Sequence, residues 1–155
     1  MNFAPVRTDA MTEHALARLC LSSGAVVHIE ITDRMDVAEP AWRELCAQGN
    51  FATAYQNCDF CALWLRHVGA PSGAKPFIVI GRDDDGSAVF LWPLVRRKLG
   101  PLQVATYFCD SHANFRTALW RGDIAASVTA ADMRAITKEI SGNGVDTLVL
   151  LSQPE

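Results

Sequence analysis

Val27, Ile29 and Ile31 alternate with His28 and Glu30, and this period of two predicts a half-buried strand over 25–31. A helix should follow. Asp36 or Glu39 can cap it, Pro40 falls in its first turn, and Val37, Ala41, Leu45 and Cys46 share one face before Gly49. A second helix is expected over 57–67, with Asn57 as N-cap, a stripe of Phe60, Leu63, Trp64 and Val68, and Gly69 just past its end. Residues 70–76 hold two prolines and a glycine and read as a loop.

The clearest local signal is a hairpin. Residues 77–80 and 88–95 are β-rich and flank Asp83-Asp84-Asp85-Gly86-Ser87, whose acidic residues and glycine supply a turn. Pro93 has no N–H to give a ladder, so its strand needs an edge or a bulge there. A further strand is expected over 103–108. Thr129 and Asp132 then open a helix as a capping box, with Val128 and Met133 as a hydrophobic staple and Met133, Ile136 and Ile140 as the apolar face. The run 146–151 is almost wholly apolar, which predicts a strand covered on both faces with a neighbour on each side. The predicted order is β-α-α-β-β-β-α-β, preceded by a weakly patterned leader over 1–24, either mobile or a short amphipathic helix. A fully covered strand as the last element fits either a domain that ends on a central strand or a sheet that continues in residues beyond these.

Composition narrows the class. Half of the 155 residues are apolar and a fifth are charged, so a packed domain is expected and wholesale disorder is not. The net charge of −3 is spread over both halves, which leaves no positive field for a nucleic-acid backbone. No run is long enough to span a bilayer, and Asp9, Glu13 and Arg18 break any signal-peptide pattern. A cytoplasmic protein with reduced thiols is expected, since five cysteines make no even framework.

Three clusters carry candidate chemistry. Cys58-Asp-Phe-Cys61 lies near a helix start, where the helix dipole favours a thiolate, but Asp59 opposes one and no second pair of ligands is near in sequence to complete a zinc site. Packing cysteines are the stronger reading. Arg97-Lys-Leu-Gly100-Pro-Leu102 partly matches a pyrophosphate-holding loop, yet such a loop must open into a helix and here a β-rich run follows. Asp110-Ser-His112-Ala-Asn114-Phe-Arg116 follows a strand, a common location for binding or acid–base groups, with His112 as a candidate base oriented by Asp110. The competing reading is a surface loop bonded to its own backbone.

Four stretches, taken in order, resemble one family: Thr53-Ala-Tyr55-Gln56 with the helix ending Leu63-Trp64-Leu65-Arg66-His67-Val68-Gly69; the hairpin from Pro76 to Leu94; Ser111-His112-Ala-Asn114-Phe115 with Leu119-Trp120-Arg121; and Asp146 to Pro154. Over about residues 25–154 the chain resembles the N-terminal half of CelD-like GNAT acyltransferases, a bacterial group labelled as cellulose-biosynthesis acetyltransferases. The resemblance implies an α/β fold, a GNAT-like half domain with a mostly antiparallel mixed sheet flanked by helices, spanning 25–155 and continued by a second half. It implies acetyl-CoA or another acyl-CoA as cosubstrate, held mainly by that second half, and an amine acceptor that is a small molecule or saccharide. The loop before His112, usually glycine-rich in the family, is here Cys109-Asp110-Ser111. The substrate-contact candidates are Tyr55, Gln56, His112, Asn114 and Arg116. The alternative is a noncatalytic interaction domain that pairs through a sheet edge.

Overall fold

The computed structural model describes residues 16–48, 53–109, 112–114 and 116–151. Its centre is a mixed sheet in the order β1-β2-β3-β4-β5-β7, with β6 pairing to β4 off that path. The strands are β1 (Ala17–Cys20), β2 (Val26–Thr32), β3 (Lys75–Arg82), β4 (Ala88–Leu99), β5 (Leu102–Tyr107), β6 (Leu119–Trp120) and β7 (Thr147–Val149). Every pairing is antiparallel except β5 with β7. That one is parallel, and the crossover between its strands carries α3 (Gly122–Ala125) and α4 (Ala130–Ile140). The helices α1 (Met35–Ala47) and α2 (Cys58–Trp64) connect β2 to β3.

The side-chain period of two in β3 and β4 sends alternate residues into two cores. Ile78, Ile80, Leu91 and Val95 meet Ala38, Trp42, Leu45, Cys61 and Trp64 of α1 and α2. Phe77, Val79, Phe90, Trp92 and Leu94 meet Ile136 and Ile140 of α4 and Leu21 beside β1. Because both faces of the central strands are covered, their sequence is nearly continuously apolar. Gly81 is required at one crossing, where a Cβ would lie 2.2 Å from Phe90 Cε1 and 2.7 Å from Val27 Cγ1.

Several expectations are corrected. Residues 17–20, assigned by pattern to the leader, form a sheet strand too short for its alternation to register in the sequence; residues 1–15 lie outside the described set. Pro40 sits in the second turn of α1, because the helix begins at Met35 after an Arg34 whose side chain supplies no cap. The buried stripe of α2 is Cys58, Cys61 and Trp64. Of the predicted stripe Phe60, Leu63, Trp64 and Val68, Trp64 is buried as expected, while Phe60, Leu63 and Val68 are exposed, since Cys58 and Cys61 occupy the face against the sheet. The chain also adds β6 and α3, which the pattern had not separated from loop.

The largest correction concerns β7. It pairs with β5 alone among the described residues, and Val149 and Leu151 are 38% and 62% exposed. It is an edge strand with one face covered: Leu148 and Leu150 pack against the core on the α4 side, while Val149 and Leu151 are exposed.

The Thr129–Asp132 capping box forms as expected and does more than end a helix. Asp132 accepts hydrogen bonds from Thr129 N (2.8 Å) and from Ser22 N (2.8 Å) and Oγ (2.9 Å), which ties α4 to the turn between β1 and β2. Desolvation pushes this carboxyl upward, but those hydrogen bonds together outweigh it and hold the group below its ordinary range. No helix among the described residues is long and apolar enough to cross a membrane.

Candidate functional site

The site candidates gather where β5 leaves the sheet. In the ladder with β4, Tyr107 stands opposite Leu94, and Phe108 N donates to Pro93 O at 3.2 Å. In an antiparallel ladder the reciprocal bond would come from the N–H of residue 93, and proline has none. The ladder therefore stops there. The chain rejoins β4 at Leu119, opposite Leu91, where an unbroken register would put residue 110. The expected edge or bulge at Pro93 is thus realised as the exit of a loop from a central strand.

Two segments support this loop from the α1–α2 side. Residues 54–56 form a 3₁₀ turn in which Gln56 is 3% exposed. Its Oε1 accepts from Thr53 N at 2.9 Å, and its Nε2 donates to Thr117 O at 2.6 Å. As placed, Gln56 braces the returning arm of the loop. Its backbone carbonyl in turn accepts from Trp42 Nε1 at 2.7 Å, so the brace is anchored in α1. Asn57 follows as the expected N-cap, its Oδ1 accepting from Asp59 N at 2.9 Å and Phe60 N at 3.2 Å. Tyr55 is half-buried and meets Phe60 edge to face at 5.9 Å.

The second support is Trp64. Its Nε1 donates to His112 Nδ1 at 3.4 Å, and its ring packs against Phe108 at 6.0 Å between centroids. The guanidinium of Arg97 lies 5.8 Å over the same indole. With Nδ1 serving as acceptor, a neutral His112 carries its proton on Nε2 and presents a donor there. Arg116 is buried and donates from Nε to Ala113 O at 3.1 Å, closing the loop on itself. His112 and Asn114 are exposed. The structure therefore brings Tyr55, Gln56, His112, Asn114 and Arg116 into one neighbourhood but divides them: Gln56 and Arg116 hold, while His112 and Asn114 face solvent. Asp110, the proposed orienting partner of His112, lies outside the described residues.

The sequence reading places Trp64 in the apolar stripe of α2 and Cys109 in the loop before His112, and names neither as a site contact. Cys109, a non-glycine residue, takes a positive φ (67°) at the point where the loop turns away. Its Sγ lies 4.0 Å from that of Cys61, and Cys61 Sγ also approaches Tyr55 O at 3.3 Å. The two thiols fill the floor of the site. Burial pushes Cys58 up to about 11, and Cys61 is driven well above the usual thiol range by its contact with Cys109 and by burial. These are poor thiolates, so the C-x-x-C spacing reflects packing. No group of three metal-ligating side chains gathers among the described residues. The Arg97–Leu102 segment forms the end of β4, a turn with Gly100 at φ 59°, and the start of β5, with no helix to receive a pyrophosphate.

No protein-family model, curated protein or solved structure matches the chain.

Proposed function

We propose that the chain is the N-terminal module of an acyl-CoA-dependent N-acyltransferase of GNAT type, forming one wall of an acceptor pocket beside a catalytic second half. The reading rests on the resemblance described above. Its main physical support is convergence: the stretch from Thr53 to Gly69 and the stretch around His112, distant in sequence, meet through Gln56–Thr117 and Trp64–His112. The mostly antiparallel sheet with helices on both faces is compatible with it.

In this role His112 would donate a hydrogen bond from Nε2, and Asn114 offers both donor and acceptor to an acceptor substrate. The acyl-CoA would sit mainly in the second half, whose first strand would join β7 and cover Val149 and Leu151. The same open edge favours a second reading, a noncatalytic domain that pairs with a partner protein by strand addition.

Calorimetry with acetyl-CoA, run in excess inorganic pyrophosphate so that simple phosphate binding is already saturated, separates the two. The half-enzyme reading expects binding by a chain extended past Glu155 into its reading frame and none by residues 1–155. Absence of binding in both favours strand pairing with a partner, and binding by residues 1–155 alone refutes the half-site.

A further inference from the structure

On the far side of the sheet from Trp64, a second group of side chains is assembled for a different purpose. Lys75 at the start of β3 stands directly opposite Arg96 of β4, and Lys98 stands opposite Gln103 of β5. Directly paired residues share a face, as do residues two apart, so all four project on the α4 side. With Gly73 and Arg97 they line a hollow of about 340 Å³ at the end of the sheet where β4 turns into β5. The loop carrying His112 leaves β5 at its opposite end.

Like charges paired across strands oppose folding unless something lies between them. Among the described residues no ion pair engages Lys75, Arg96 or Lys98. The nearby carboxylate of Asp146 accepts from the backbone N–H of Gln103 at 2.7 Å. Arg96 is half-buried and is seated rather than free: a Cβ on Gly144, in the turn from α4 to β7, would lie 2.8 Å from its Nη1. A glycine there leaves the guanidinium its place, and Gly73 likewise adds no side chain at the rim. The result is a concave site with several cationic donors and an amide, in which no described acid forms an ion pair with Lys75, Arg96 or Lys98.

We propose that this hollow binds a phosphate-bearing anion, with Lys75, Arg96 and Lys98 as its charged contacts and Gln103 as a neutral donor. Multiple cations around a small cavity match the several acceptor oxygens of a phosphate or diphosphate, and Arg96 can engage two of them at once. The site is separate from the acceptor pocket proposed above and does not depend on it.

The test is titration of inorganic pyrophosphate into the full chain at low ionic strength, with amide NMR shifts to locate binding. Saturable binding is expected, with shifts at Gly73, Gln103 and Gly144. Arg96→Gln and Lys75→Gln should each weaken it about tenfold or more without lowering the melting temperature. Lys138→Gln, an equal charge change on α4, should alter it less than about twofold. Absent binding, or equal weakening by Lys138→Gln, overturns the proposal. A second arm uses vesicles of phosphatidylcholine with and without phosphatidylglycerol. Binding to the anionic vesicles that pyrophosphate competes away and Arg96→Gln abolishes identifies the phosphate as a lipid headgroup. No vesicle binding identifies a soluble ligand, and vesicle binding that pyrophosphate cannot displace refutes the site.

Discussion

Replacing Gln56 tests whether the candidate site is built as described. In Gln56→Ala, Thr117 O loses the Nε2 donor at 2.6 Å and Thr53 N loses its acceptor at 2.9 Å. Each partner is half-buried, and each unmade bond of this kind costs about 1–2 kcal/mol, so the variant should lose about 2–4 kcal/mol. With a urea dependence of about 2 kcal/mol per molar, the unfolding midpoint should fall by about 1–2 M. Tryptophan fluorescence reads the transition, since Trp42 and Trp64 both lie in the core beside Gln56. Gln56→Glu supplies a signature that mere cavity formation lacks. One carboxylate oxygen keeps the Thr53 contact, and the other is forced against the Thr117 carbonyl. That raises the folded-state pKa above the unfolded value of about 4.3, so the penalty is full at neutral pH and is relieved as pH falls through the raised value. A midpoint shift under about 0.3 M in Gln56→Ala, or a Gln56→Glu penalty that ignores pH, refutes the brace and returns Gln56 to direct substrate contact.

Gly81→Ala should destabilise by about 3 kcal/mol, because the added methyl meets fully buried Phe90 and Val27, and chemical denaturation measures it. Asp132→Asn should cost about 1–2 kcal/mol at pH 7 through loss of the cap and the Ser22 tie. Because the folded pKa of Asp132 lies below its ordinary value, its contribution is present above that ordinary value and lost as pH falls through the folded one. Melting curves of the two proteins should therefore converge in acid. In a thiol-modification time course on native protein, exposed Cys20 should react first and buried Cys58, Cys61 and Cys109 last; Cys58 reacting as fast as Cys20 would contradict the packing assignment.

The elements that were legible in the sequence are those whose local signals agree with their packing. The Asn57 and Thr129 caps, the Asp83–Ser87 turn and the alternation of β2 all formed, because each is settled within a few residues. The misreadings share a different cause. The periodicity places Phe60, Leu63, Trp64 and Val68 on one face of α2, and of these Trp64 alone is buried, because the sheet accepts the small Cys58 and Cys61 at close approach. The apolar run of β7 predicts cover on both faces, yet one face alone packs on the core, through Leu148 and Leu150. Of the site, the polar residues were visible as a cluster after a strand. Trp64 and Cys109 were not, since their contribution depends on contacts with residues more than forty positions away.

Pro93 connects the fold to the site. A central strand with a continuous ladder on both sides would keep β5 zipped to β4 and leave no loop at this place. The missing N–H ends that ladder on the β5 side alone, while on the other side Pro93 still stands in register opposite Ile78 of β3. The sheet thus remains intact beneath the opening that the loop uses. Buried groups then fix the loop from below, and the exposed His112 ring, its Nδ1 occupied by Trp64, can only donate from Nε2 while that contact holds. Removing a proton from an amine requires an acceptor instead. On the proposed reading, His112 would orient a carbonyl or hydroxyl of the acceptor, and proton removal would fall to another group.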